Sequence, residues 1–154
     1  MAETGEMAEA DDRAALADCT VLIVDDDDVA IEGVLRSFRK HHVPCKTLTA
    51  GDGSEALAVL SGDHPDKKLT TPVIVLLDLN MPRMDGFQFL EAVRADTRLR
   101  RTVIFVLSTS SRDQDRCRAY NEQVAGYMVK SEVGPQFARL AEFMTKYTLT
   151  QELP

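Results

Sequence analysis

"VLIVDDDD", residues 21–28, carries four apolar residues straight into four aspartates. An apolar run this short, without alternation, suits a strand buried on both faces. The acidic half repels itself: at an effective dielectric of about 20, two unit charges about 4 Å apart cost about 4 kcal/mol. Outward from this stretch the same pattern recurs. "TVLIV" (20–24), "CKTLT" (45–49), "PVIVLL" (72–77), "TVIFVL" (102–107) and "AGYMV" (125–129) read as five strands. Helical spacing separates them: Val29, Ile31, Val34, Leu35 and Phe38 mark one helix, and Ala56, Leu57, Val59 and Leu60 a second. Phe87, Phe89, Leu90 and Val93 mark a third, 112–122 a fourth, and Phe137, Leu140, Ala141 and Met144 a last, with Pro135 in its first turn.

Buried strands alternating with helices require a parallel sheet covered on both sides, so the fold class is α/β and the architecture a doubly wound (βα)5 sandwich. The flavodoxin-like strand order 2-1-3-4-5 is expected, with a site outside the carboxyl ends of the strands where the order reverses.

The chain of 154 residues shows no break in composition, which suits one domain. We expect an acidic, disordered tail over 1–18, the domain over 19–147 and a short tail over 148–154. A net charge of −7 argues against nucleic acid, whose phosphates are gripped by clustered Lys and Arg. Cys19, Cys45 and Cys117 are odd in number, far apart and without metal-ligand spacing, so they are expected as reduced core or surface thiols. No apolar run approaches the roughly 20 residues needed to span a bilayer. The expected location is the cytoplasm, with no membrane contact.

The polar residues at the strand ends define the chemistry. Asp25 and Asp26 follow strand 1, Asp78 follows strand 3, Ser108 follows strand 4 and Lys130 follows strand 5. Strands 1 and 3 are neighbours in the expected order, so three carboxylates converge and call for a divalent cation. An all-oxygen set favours Mg²⁺ or a similar hard ion such as Mn²⁺, bound beside a phosphate. One carboxylate can then serve as nucleophile toward a phosphoryl donor, and Asp78, central in the sheet, is best placed. Read singly, each residue has an ordinary explanation: an aspartate run as helix cap, a turn hydroxyl, a solvated lysine. Asp27 and Asp28 are expected to be such a cap.

"VLIVDD", "LLDLNMPRMDGFQFL", "VIFVLSTSS" and "GYMVK" together resemble the receiver domain of bacterial response regulators, the CheY-like superfamily, over roughly residues 19–147. The intervals from Asp78 to Ser108 and from Ser108 to Lys130 match the family's spacing. The resemblance implies that Asp78 accepts a phosphoryl group from a phosphohistidine of a sensor histidine kinase. It further implies that Asp26 binds Mg²⁺ directly, Asp25 positions it, and Asn80 offers its backbone carbonyl. Lys130 would pair with phosphate oxygens, Ser108 would swing inward to hydrogen-bond one of them, and Tyr127 would be the aromatic that moves with it.

The chain departs from the family pattern twice. Ser131 stands after the lysine where many receivers have proline, and "SGDHPDKKLTTP" lengthens the connection before strand 3. These features, with "STSS" and the tail "TLTQELP", resemble the single-domain receivers that partner bacterial phytochrome kinases. A haloacid-dehalogenase-type phosphatase also uses an aspartate nucleophile with Mg²⁺, but wants a second aspartate two residues on as general acid. Asn80 stands there instead. A phosphorylation-independent binding module is the third reading, and the complete acidic, hydroxyl and lysine set speaks against it. Finally, Phe143, Tyr147, Leu149 and Leu153 are left over from the last helix's core stripe and predict a homodimer through that helix and the tail.

Overall fold

The computed structural model describes residues 19–70, 72–150 and 153–154. The tail expected over 1–18 lies outside the described residues. β1 (Thr20–Val24), β2 (Lys46–Ala50), β3 (Val73–Leu77), β4 (Val103–Ser108) and β5 (Gly126–Val129) form one parallel sheet in the order β2-β1-β3-β4-β5. This is the expected order. Each strand lies within a residue or so of its sequence-based span.

Alternation along the strands divides the interior in two. Leu22, Val24, Val75, Leu77, Ile104 and Val106 face one layer, where they meet α2 (Gly53–Ser61) and α3 (Gly86–Ala95) through Ala56, Val59, Phe89, Leu90 and Val93. Val21, Ile23, Ile74, Leu76, Phe105 and Leu107 face the other, against Val34 and Phe38 of α1 (Asp28–Lys40) and Leu140, Ala141 and Met144 of α5 (Ala138–Thr150). α4 (Asp113–Asn121) is charge-rich and buries only Ala119, so it is the most lightly anchored helix. Burial on both sides explains why β1, β3 and β4 carry unbroken aliphatic runs.

Two local expectations change. Val29 does not belong to the buried stripe of α1: it is 80% exposed, because Ala30, Val34 and Phe38 hold the sheet-facing side and Val29 is rotated off it. Pro135 and Phe137 do not open α5. Residues Pro135–Phe137 form a separate 3-10 turn, with positive φ at Gly134, Gln136 and Phe137. Phe137 lies instead against Gly33 of α1, where an added Cβ would come within 2.6 Å of its ring, and its carbonyl accepts a bond from Ser37 Oγ. At the other end α5 continues to Thr150, with Thr148 buried and Leu153 packed back on the chain's own core. Thr148 and Leu153, from the stretch expected as a tail, thus pack on the rest of the chain.

Candidate functional site

The strand ends are held level by backbone bonds. Asp25 N–H donates to Ala50 O at 3.0 Å and Asp78 N–H to Val24 O at 2.9 Å, so both carboxylates leave the sheet side by side. Asp27 caps α1, accepting from Val29 N–H at 3.0 Å, as its place in the aspartate run predicts. Its own N–H donates to Asp25 Oδ1 at 2.9 Å, which fixes the Asp25 side chain.

Beyond β3, Asp85 and Gln88 form a reciprocal capping box that starts α3. The next residue, Gly86, is packed against the acceptor strand's end: an added Cβ would lie 2.5 Å from Asp78 O. Glycine is required there for close approach. This accounts for "DG" in "DLNMPRMDG".

One oxygen from each of Asp25, Asp26 and Asp78 lies within 4.8 Å of the others. Asp25 and Asp78 are buried while Asp26 faces solvent. Lys130 Nζ donates to Asp25 Oδ2 at 2.6 Å and stands 4.0 Å from Asp78 Oδ2. Asp78 Oδ1 is buried with no hydrogen-bond partner among the described residues. Burial and the charge of Asp25, with a smaller part from Asp26, push the Asp78 carboxyl up from 3.8 to about 6, against the pull of Lys130 and the Asn80 N–H. One lysine does not satisfy three carboxylates. An orphaned buried oxygen facing an all-oxygen cluster fits a hard divalent cation.

Ser108 and Tyr127 meet through a residue that sequence reasoning did not single out. Ser110 N–H donates to Ser108 Oγ at 3.2 Å, while Tyr127 Oη donates to Ser110 O at 2.9 Å. Ser110 Oγ donates in turn to Asp115 Oδ2 of α4 at 2.6 Å. The sequence offered only the "STSS" run as a signal. A second unforeseen tie is Asp52, the buried N-cap of α2, which accepts from Arg83 in the loop after β3 at 2.5 Å. Within the long connection before β3, Lys67 Nζ donates to Glu55 Oε1 at 2.7 Å and folds the segment against α2.

Comparison with known proteins agrees with this geometry. The family model of the response regulator receiver domain matches residues 21–141. The chain is 30% identical to the probable methanogenesis regulatory protein FilR2 of Methanothrix harundinacea, over 96% of this chain and 91% of that one. It is also 30% identical to the response regulator Rcp1 of a Synechocystis species, over 72% and 76% of the two chains. Among solved structures, the phosphorylated cyanobacterial phytochrome response regulator RcpA superposes with a TM-score of 0.76 at 28% identity, covering 88% of this chain and 97% of its own. The Mn²⁺-bound form of Rcp1 gives 0.75 at 25% identity, covering 88% and 98%. With its strand order, its carboxylate cluster and these matches in agreement, the chain belongs to the response regulator receiver domain family.

Proposed function

We propose that Asp78 is the phosphoacceptor of this receiver and that its donor is the phosphohistidine of a sensor histidine kinase of the phytochrome class, in the cytoplasm. The observation that carries the acceptor role is Asp78 Oδ1, buried and without a hydrogen-bond partner among the described residues, on a side chain that shares a cluster with Asp25 and Asp26. The kinase class rests on the likeness to Rcp1 and RcpA.

Asp78 attacks phosphorus, an O–P bond forms, and the P–N bond to the donor histidine breaks. Asp25, Asp26, Asp78 and the Asn80 carbonyl would hold Mg²⁺ or Mn²⁺, which neutralises charge developing on the transferred oxygens. Lys130 stands close enough to Asp78 to pair with a phosphoryl oxygen after a small movement of its flexible stem. Ser108 then gives its hydroxyl to another oxygen. That movement draws on the bond from Ser110 N–H, and Tyr127 and α4 are tied to the same residue, so displacement is passed to the α4–β5–α5 surface. Such a change of surface is the product of signalling and requires no turnover of a small substrate.

Incubation with acetyl phosphate and Mg²⁺ should add one phosphoryl group to the intact protein, and Asp78→Asn or chelation should abolish it. Full labelling of Asp78→Asn sinks the assignment. Among sensor kinases as donors, transfer should be fastest from one with a phytochrome module; faster transfer from a kinase lacking it overturns the partner.

The proposed homodimer uses α5. Phe143 is 40% exposed and Leu149 is 51% exposed, whereas Tyr147 packs edge-on to Phe105 and Leu153 turns inward. A two-fold partner would therefore meet Phe143 and Leu149, with less help from the tail. Light scattering at tens of micromolar should show a dimer that Leu149→Glu converts to monomer; an unchanged mass for both proteins rules out this interface.

A further inference from the structure

We propose that Cys19 and Cys45 form an oxidisable dithiol, closed to an intrachain disulfide by peroxide, at the amino ends of β1 and β2. Far apart in sequence, the two are brought side by side by the sheet. Thr20 pairs with Lys46 in the parallel register, and the Lys46 N–H donates to Cys19 O at 2.9 Å, so the ladder reaches back to place Cys45 opposite Cys19. Both side chains pack on the α1–α5 layer and thus share a face. Neighbouring strands lie about 4.8 Å apart, inside the Cα separation of about 4.4–6.8 Å that a disulfide spans.

The environment distinguishes the two sulfurs. Cys19 is buried and Cys45 is half-buried as a residue. The Cys45 thiol donates to the Cys19 sulfur, which draws the Cys19 thiol below its ordinary range and pushes that of Cys45 up, further raised by burial. The first proton of the pair therefore leaves Cys19, and Cys45 keeps its own.

The reaction closes without further reagents. The Cys19 thiolate attacks one peroxide oxygen: an S–O bond forms, the O–O bond breaks, and the departing hydroxide takes a proton to become water. Cys45 then attacks the sulfenic sulfur of Cys19, the S–S bond forms, and the second hydroxide leaves as water with the Cys45 thiol proton. Two thiols are oxidised and one peroxide is reduced to two waters. The site lies at the edge of the sheet opposite Asp78, so the cross-link leaves the carboxylate cluster untouched.

The test uses the full chain carrying Cys117→Ser, which removes the exposed thiol. After hydrogen peroxide treatment, intact mass should fall by two hydrogens, both remaining thiols should resist alkylation, and digestion should yield a linked peptide pair that dithiothreitol separates. Labelling by acetyl phosphate should be unchanged. Cys45→Ser, at the less buried position, should abolish the mass loss. Oxygen adducts without a linked pair, a disulfide formed only between chains, or closure only in denaturant overturns the proposal. Loss of phosphoryl labelling on oxidation contradicts its placement away from the acceptor.

Discussion

In metal-free buffer at pH 8, Asp78→Asn should be more stable than the wild-type protein by up to about 3 kcal/mol. The Asp78 carboxyl rises from 3.8 to about 6 on folding, through burial first and the charge of Asp25 second, against the pull of Lys130. A rise of that size corresponds to about 3 kcal/mol. Between these two values the folded state holds a proton that the unfolded state has released, so stability is greatest at low pH and falls as pH climbs toward 6. Above it the ionised group carries the full penalty, and asparagine carries none. The advantage of the variant should therefore be present at pH 8, shrink through pH 6–4 and vanish below. For a chain of this length it corresponds to a melting shift of roughly 6–12 °C. Mg²⁺ should narrow or reverse the gap, since it stabilises only a folded protein that binds it. Urea unfolding at several pH values in chelator tests this. Equal stability of the two proteins at pH 8 would show that burial of Asp78 carries no electrostatic cost.

Burial also explains how much could be read in the sequence. The strands were legible because a sheet buried on both faces leaves almost no freedom in β1, β3 and β4: "VLIV", "VIVLL" and "VIFVL" are apolar at both parities. Their polar ends were legible because the backbone must leave the sheet there, and Asp25, Asp26, Asp78 and Lys130 meet for that reason alone.

Less was legible where contact depends on geometry between distant segments. The turn at Pro135–Phe137 is set by Phe137 lying on Gly33, a small residue whose importance appears only when α1 and α5 are side by side. Ser110 connects Ser108, Tyr127 and Asp115 through its backbone as well as its hydroxyl, and backbone contacts leave no mark in residue type. The adjacency of Cys19 and Cys45 follows from the β1–β2 register, which no local pattern fixes.

Removing Lys130 should have the opposite effect from removing the acceptor charge. Lys130 Nζ donates to Asp25 Oδ2 at 2.6 Å, and the two side chains are only 14% and 6% exposed. Deleting one member of a pair this buried leaves the other uncompensated, at a cost of about 3–5 kcal/mol. Lys130→Met keeps most of the apolar stem, so its loss reports the charge more than the packing. Asp25→Asn together with Lys130→Met should cost less than the sum of the two single changes, because each removes what the other leaves stranded. Divalent metal should recover part of the loss in Lys130→Met, since its charge enters the same carboxylate cluster.

Phosphotransfer to Lys130→Met should still fall by about 10²–10³, the usual cost of deleting one donor to a developing oxyanion. Lys130→Arg separates the two roles. It keeps a cation near Asp25 and should recover stability, but its planar guanidinium is a poor substitute for a compact ammonium that has to shift between Asp25 and a phosphoryl oxygen. Denaturation in chelator and in Mg²⁺, run beside the rate of labelling by acetyl phosphate, checks both. Additive single and double variants would mean that Asp25 and Lys130 are not coupled, and a wild-type labelling rate in Lys130→Met would remove the lysine from the transfer step.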